Sequence, residues 1–344
     1  MNVLKIKQLL FICLFCIIAG FPFQYFTEGS VNHNAVIVGF ILGLGFGILE
    51  LFLLSSLNRR LKLYPALIIL VTKSILYTII VFVLSNLIGL ITGYLEGRNI
   101  EEFFAALLSK TRIYMILYAL IVYFVMLFIM QLNRLLGPGV MLKFLFGKYI
   151  RPVEEERIFM FLDIKSSTTL AENLGHEKFY TLLNEFFHGM TTAVLSTKAE
   201  IYQYVGDEVV FTWKMSDGID NLNCLRIFYL IKENVNKNKQ NYLKRFEAIP
   251  DFKAGMHCGK VIIGQIGDVK REIVYNGDVL NTTARIRDLC NNYDKDLLIS
   301  GPLLEQFKKP LPLSPEFIGE VLLRGKQDAV DIYSIEYQNI PKKH

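Results

Sequence analysis

Hydrophobic positions follow two different patterns along the 344 residues. In the first 133 residues they form long unbroken runs, each near the roughly 20 helical residues that cross a hydrocarbon core. Four transmembrane helices are predicted on that basis, over 8–26, 34–57, 67–90 and 113–132. The first run follows Lys5 and Lys7, as a signal peptide would. It continues past Ile18-Ala19-Gly20-Phe21-Pro22 into more aromatics and a further span, so an uncleaved helix is expected. From Arg157 the apolar blocks become short. Residues 157–162 read as a strand buried on both faces, ending in Asp163. Residues 177–195 have helical spacing, 200–205 and 208–213 read as strands joined by a tight Gly206-Asp207 hairpin, and a helix at about 219–245 precedes a strand at 252–257. The order β-α-β-β-α-β predicts an α/β, ferredoxin-like sheet with its helices on one face. The expected organisation is a four-helix membrane domain at 1–133, a linker at 134–156 containing Gly137-Pro138-Gly139, and a catalytic-type domain at 157–338.

Charge divides the chain in the same place. Residues 1–150 contain 12 Lys and Arg against 5 Asp and Glu, whereas residues 151–344 contain 25 against 27. With 52% hydrophobic and 20% charged residues overall, a disordered chain and a strongly basic nucleic-acid binder are excluded. Lys5, Lys7, Arg59, Arg60, Lys62, Arg134, Lys143, Lys148 and Arg151 fall on one side of the predicted spans, and Arg98, Lys110 and Arg112 on the other. Both termini and everything after residue 133 are therefore expected in the cytoplasm. Glu50 and Lys73 lie inside spans at similar depth, where a charge needs a partner or a route to the interface. Either they pair, fixing the second helix to the third, or Lys73 snorkels and Glu50 stays protonated. The five cysteines, without C-x-x-C spacing, suggest neither a disulfide framework nor a zinc site.

The chemistry resides in the acids. In the predicted topology Asp163, ending the first strand, and Asp207, in the hairpin, converge at one end of the sheet, an arrangement suited to Mg²⁺ and the phosphates of a nucleotide. Ser166, Ser167 and Thr168 open a helix whose free N–H groups suit phosphate oxygens. Asn281 and Arg285, four apart on a helix beginning near Val279, share a face and can reach one ligand. Each signal also has an ordinary structural reading, as helix cap, turn or solvated helix face.

Taken together, Met160-Phe161-Leu162-Asp163-Ile164-Lys165-Ser166-Ser167-Thr168, Tyr204-Val205-Gly206-Asp207-Glu208, the segment from Gly255 to Val261 and the segment from Gly277 to Arg285 resemble the catalytic domain of class III adenylate and guanylate cyclases. The resemblance covers roughly 157–335 and leaves the membrane half outside. It implies that Asp163, Asp207 and the Ile164 carbonyl bind two Mg²⁺ or Mn²⁺ ions, that Asn281 orients the ribose, and that Arg285 stabilises charge at the α-phosphorus. Lys326, with Arg324 as competitor, would contact the phosphates. It also implies a homodimer whose sites combine metal acids from one chain with the Asn/Arg helix of the other. Gln203 and Val274 occupy the base-reading positions and depart from the family's usual residues, so neither ATP nor GTP is selected by them. The expected function is a membrane-bound adenylate cyclase, with guanylate cyclase as the alternative substrate class. A diguanylate cyclase and a catalytically silent, membrane-anchored dimerisation or nucleotide-sensing module are the competing readings.

Overall fold

A computed structural model describes residues 3–30, 33–53, 64–95, 110–137, 139–307, 314–322 and 329–336. The chain forms two compact units, Met1–Met141 and Leu142–His344.

The first unit contains α1 (Val3–Glu28), α2 (Asn34–Ile48, continued by a π-helical turn Leu49–Leu53), α3 (Ala66–Leu95) and α4 (Lys110–Leu136). Among the described residues, three apolar stretches are long enough to cross a membrane: Gln8–Phe26, Ala66–Val83 and Ile113–Leu136. The expected second span is shorter among the described residues, its apolar stretch being Val36–Leu51; residues 54–57 and the basic group Arg59, Arg60 and Lys62 lie outside them. Apolar side chains alone do not hold α1 to α2. A Cβ at Gly39 would meet Ile17 Cα at 2.7 Å, and one at Gly43 would meet Cys13 Cα at 2.6 Å, so the four-residue glycine spacing lets the two backbones touch. Glu50, within the π-helical turn, is 2% exposed. Lys73 Nζ lies 2.8 Å and 3.0 Å from its two carboxylate oxygens, Tyr77 donates its hydroxyl to it, and Arg134 Nη2 approaches to 3.6 Å. Of the two sequence readings of Glu50 and Lys73, the structure realises the pair.

Short α5 (Val140–Leu145) precedes the second unit's sheet. Its elements run β1 (Val153–Ile164), α6 (Ser167–Leu174), α7 (His176–Gly189), α8 (Thr191–Ser196), β2 (Glu200–Val205), β3 (Glu208–Lys214), α9 (Met215–Ile219), α10 (Asn223–Lys237) and α11 (Lys239–Phe246). Then follow β4 (Phe252–Ile266), β5 (Glu272–Asn276), α12 (Asp278–Asn292), β6 (Leu297–Ser300), α13 (Gly301–Glu305), β7 (Ser314–Val321) and β8 (Val330–Glu336). The strand order is β2-β3-β1-β4-β6-β8-β7, with β5 paired to β4. Its first four strands, all antiparallel neighbours, are the expected ferredoxin-like core.

Period-2 alternation in β1 makes two cores. Ile158, Met160, Leu162 and Ile164 join the large core under α7 and α10, while Phe159 and Phe161 join a smaller one with Val210, Val261, Ile263 and Val279. Helices on one face describe the βαββαβ segment only. After β5 the chain turns back, and α12 packs on the opposite face through Val279, Ile286 and Cys290. β1 also begins at Val153, four residues before the expected Arg157, because the glutamates of 154–156 are strand residues: Glu154 pairs with Lys260 at 2.9 Å and Glu155 with Arg157 at 3.3 Å. The expected helix over about 219–245 is broken at Asn238, giving α10 and α11.

Candidate active site

Odd-numbered positions of β1 face α12, and the last of them is Asp163. Its register partner on β3 is Glu208, so the Gly206-Asp207 turn brings Asp207 to the same sheet end. Burial, reinforced by the adjoining Asp207 carboxyl, raises the Asp163 pKa to about 6, against the opposing pull of Arg287 and Lys253. Asp207 Oδ2 is buried and has no hydrogen-bond partner among the described residues. Two converging acids, one with an orphaned oxygen, are an all-oxygen donor set that fits a hard divalent cation, whose remaining positions are filled by water and substrate phosphates. Among the described residues no group of three or more His, Cys, Asp or Glu side chains forms a metal cage, and a phosphate-completed site needs none.

The other expected residues surround this pair unevenly. Ile164 follows Asp163 with its side chain buried in the main core. Ser166 is left-handed at φ 52°, unusual for a residue with a Cβ, and from it α6 begins with Ser167 and Thr168. Asn281 is exposed and Arg285 half-buried on α12, and neither makes a side-chain hydrogen bond or ion pair with a described residue. Gln203 is exposed on β2 beside a bulge, opposite Val210; Val274 is half-buried on β5 opposite Gly264. Arg324 and Lys326 lie outside the described residues.

Two cations that the sequence did not single out hold Asp163. Arg287 Nη1 is 3.2 Å from its Oδ2 and also donates to Glu208, while Lys253 Nζ, hydrogen-bonded to Asn291 at 2.9 Å, lies 3.8 Å from the same oxygen. Lys253 is the β4 register partner of Asp163, a cross-strand relation visible once β1 and β4 are paired. Arg287 is two residues past Arg285, about 200° around the helix. The helix thus turns Arg287 toward its own chain's acids and the Asn281/Arg285 edge away from them.

A second buried charge network flanks the site. Arg157, fully enclosed, reaches Tyr275 Oη at 3.0 Å, Glu200 at 3.2 Å, Glu155 at 3.3 Å and Thr212 at 3.3 Å. Burial alone would raise the Glu200 pKa, but the charges of Arg157 and of Lys143, 3.1 Å away, hold it below the usual range. The strands bearing Gln203 and Val274 are therefore anchored at their starts and ends by one arginine.

Residues 152–335 match the family model described as the adenylate and guanylate cyclase catalytic domain. Adenylate cyclase 2 of Rhizobium meliloti (strain 1021) is 33% identical over 220 residues, covering 64% of this chain and 61% of the relative. Adenylate cyclase 1 of the same organism is 27% identical over 187 residues, 53% of this chain but 27% of the relative. The chain therefore spans less than two thirds of either relative's length. A bacterial light-regulated adenylyl cyclase structure superposes with a TM-score of 0.53 at 19% identity, over 62% of this chain and 61% of the other, a likeness of fold.

Proposed function

This chain belongs, through residues 152–335, to the family of adenylate and guanylate cyclase catalytic domains, and on that premise we propose that it is a membrane-bound adenylate cyclase. The proposed reaction converts ATP to cyclic AMP and pyrophosphate at a site shared by two copies of the chain. The observation that carries this reading is the half-buried Asp163–Asp207 pair, in which Asp207 Oδ2 is buried without a partner among the described residues.

Asp163 and Asp207, with the Ile164 carbonyl, would hold two Mg²⁺ or Mn²⁺ ions. Those ions, when bound, supply acidification of the ribose hydroxyl and charge neutralisation for the leaving pyrophosphate. The N–H groups at the start of α6, Ser166 to Thr168, receive phosphate oxygens. Arg285 donates to the α-phosphate as its charge grows, and Asn281, one turn earlier on the same edge, orients the ribose. Because that edge faces away from its own chain's acids, it serves the site of a second copy. Lys326 adds positive charge at the triphosphate. Gln203 and Val274 line the base.

ATP is the favoured substrate because the matched relatives are named adenylate cyclases. Guanylate cyclase is the second reading, since the Gln203 amide both donates and accepts and suits either purine edge. We further propose a multi-pass protein in which α2 with its continuation is an additional span, and in which the excess of Lys and Arg on one side of the spans keeps both termini and the catalytic domain in the cytoplasm.

The test is purified full-length protein in detergent with Mn-ATP or Mn-GTP. Asp207→Ala and Arg285→Ala are each expected to be inactive while folded. Mixed with full subunit exchange they should recover roughly a quarter of the parental rate, because half the pairs are mixed and each mixed pair keeps one intact site. Absence of any cyclic product with both nucleotides would end the enzyme reading, and absence of recovery on mixing would end the shared site.

A further inference from the structure

Arg287 has no part in the reaction as described, yet it is the group most directly engaged with the proposed metal acids. Its guanidinium bridges Asp163 Oδ2, at 3.2 Å, and Glu208, while its Nε lies 3.0 Å from Asp288 Oδ1 without making a hydrogen bond to a described residue. The placement is built into the backbone. Gly255, near the start of β4, approaches α12 so closely that a Cβ there would lie 2.2 Å from Arg287 N. No other residue type lets the helix sit this low over the end of β1.

We propose that Arg287 is a tethered counter-cation that competes with the divalent metal for Asp163 and thereby sets the metal concentration at which the site fills. This inference rests on the reading of Asp163 and Asp207 as metal ligands. A Mg²⁺ ion binds its oxygen ligands at about 2.0–2.1 Å. A guanidinium on the same Oδ2 would then face it across a few ångströms as a like charge in a half-buried setting. For the metal to bind tightly, the guanidinium must give up Asp163. Glu208 and the exposed Asp288 carboxylate are the partners it can keep. Lys253 is less suited to the role, being farther from Asp163 and already hydrogen-bonded to Asn291.

A purely structural arginine would give a different result when removed. It would lower stability and leave metal affinity unchanged or weaker, through disordered ligands. A competing cation, once removed, leaves the acids with more negative charge, and metal affinity rises. Changes to groups around metal ligands move affinity about 10–100-fold; the expected shift here is about tenfold, toward tighter binding.

The experiment uses the full chain in detergent without nucleotide, titrated with Mn²⁺ and followed by the electron paramagnetic resonance of free Mn²⁺. Thermal unfolding of each variant before metal addition checks folding. Arg287→Gln should reach half-saturation at about one tenth of the parental Mn²⁺ concentration, the low end of the range above. Arg287→Met, which keeps the aliphatic stem, should do the same, and Arg287→Lys should return toward the parent. Unchanged or weaker Mn²⁺ binding in whichever neutral variant folds overturns the inference. Asp207→Asn separates the two levels. If it loses Mn²⁺ binding while the neutral Arg287 variants do not tighten it, the counter-cation fails alone. If it binds Mn²⁺ like the parent, the metal assignment fails and the counter-cation with it.

Discussion

Replacing Gly255 with alanine tests how the sheet sets the height of α12. The added methyl would fall 2.2 Å from Arg287 N, 2.6 Å from Arg287 Cα and 2.8 Å from Ile286 C. These are backbone atoms, so no rotamer change relieves them. Reaching ordinary contact at 3.4 Å requires the helix to retreat by about 1.2 Å at Arg287, or β4 to bend by as much. Overfilling a packed interior costs about 1–3 kcal/mol, and the upper end applies where nothing flexible can yield. A unit of about 200 residues loses roughly 2–4 °C of Tm per kcal/mol, so a fall of about 6–12 °C is expected. The same retreat carries Asn281 and Arg285 with it, and a misplacement of about 1 Å in positioning groups costs on the order of 10²-fold in rate. Thermal unfolding and cyclic AMP formation, measured on solubilised parent and Gly255→Ala, check both numbers. An unchanged Tm together with undiminished turnover would show that the contact across Gly255 does not govern the height of the helix.

Two further predictions concern ionisable groups. Asp163 keeps its proton up to about pH 6, above the roughly 3.9 of a free aspartate, so between those values the folded chain binds more protons than the unfolded one. This group's contribution to stability is present at low pH and is lost as pH rises through about 6, while Mn²⁺ binding, which needs the carboxylate, weakens as pH falls through the same window. Calorimetry at pH 6 in buffers of different ionisation enthalpy should show proton release on Mn²⁺ binding; identical heats in all buffers would contradict it. In the first unit, Glu50→Gln strands the buried Lys73 ammonium and should cost about 3–5 kcal/mol, seen as lower yield and Tm, and adding Lys73→Met should restore most of the loss. Strictly additive losses would mean that the two groups do not stabilise each other.

Much of the second unit was legible because its strands are short, apolar and separated by turn chemistry. The hairpin strands were expected at 200–205 and 208–213 and occur at Glu200–Val205 and Glu208–Lys214, and the convergence of Asp163 and Asp207 follows from that register. The start of β1 was not legible: a run of glutamates reads as linker until Lys260 and Arg157 are known to lie within reach. Arg157 itself read as an ordinary strand residue, since three of the four groups that justify burying it, Glu200, Thr212 and Tyr275, come from other strands. The position of α12 on the opposite face was hidden because local pattern says nothing about which side a helix returns to. Arg287 was missed for a related reason. Spacing of i and i+4 draws attention to Asn281 and Arg285, whereas the contact of Arg287 with Asp163 depends on a glycine some thirty residues earlier. In the first unit, hydropathy found the long apolar helices, and the glycines at 39 and 43 carried a packing signal that hydropathy does not register.

The opposed directions in which Arg285 and Arg287 leave α12 give the helix a mechanical property. Rolling it by part of a turn swings one guanidinium inward and the other outward. In the proposed two-copy arrangement, such a roll would act in antiphase, easing cation entry at one pocket while withdrawing electrostatic support from the neighbouring one, rather than dimming both together.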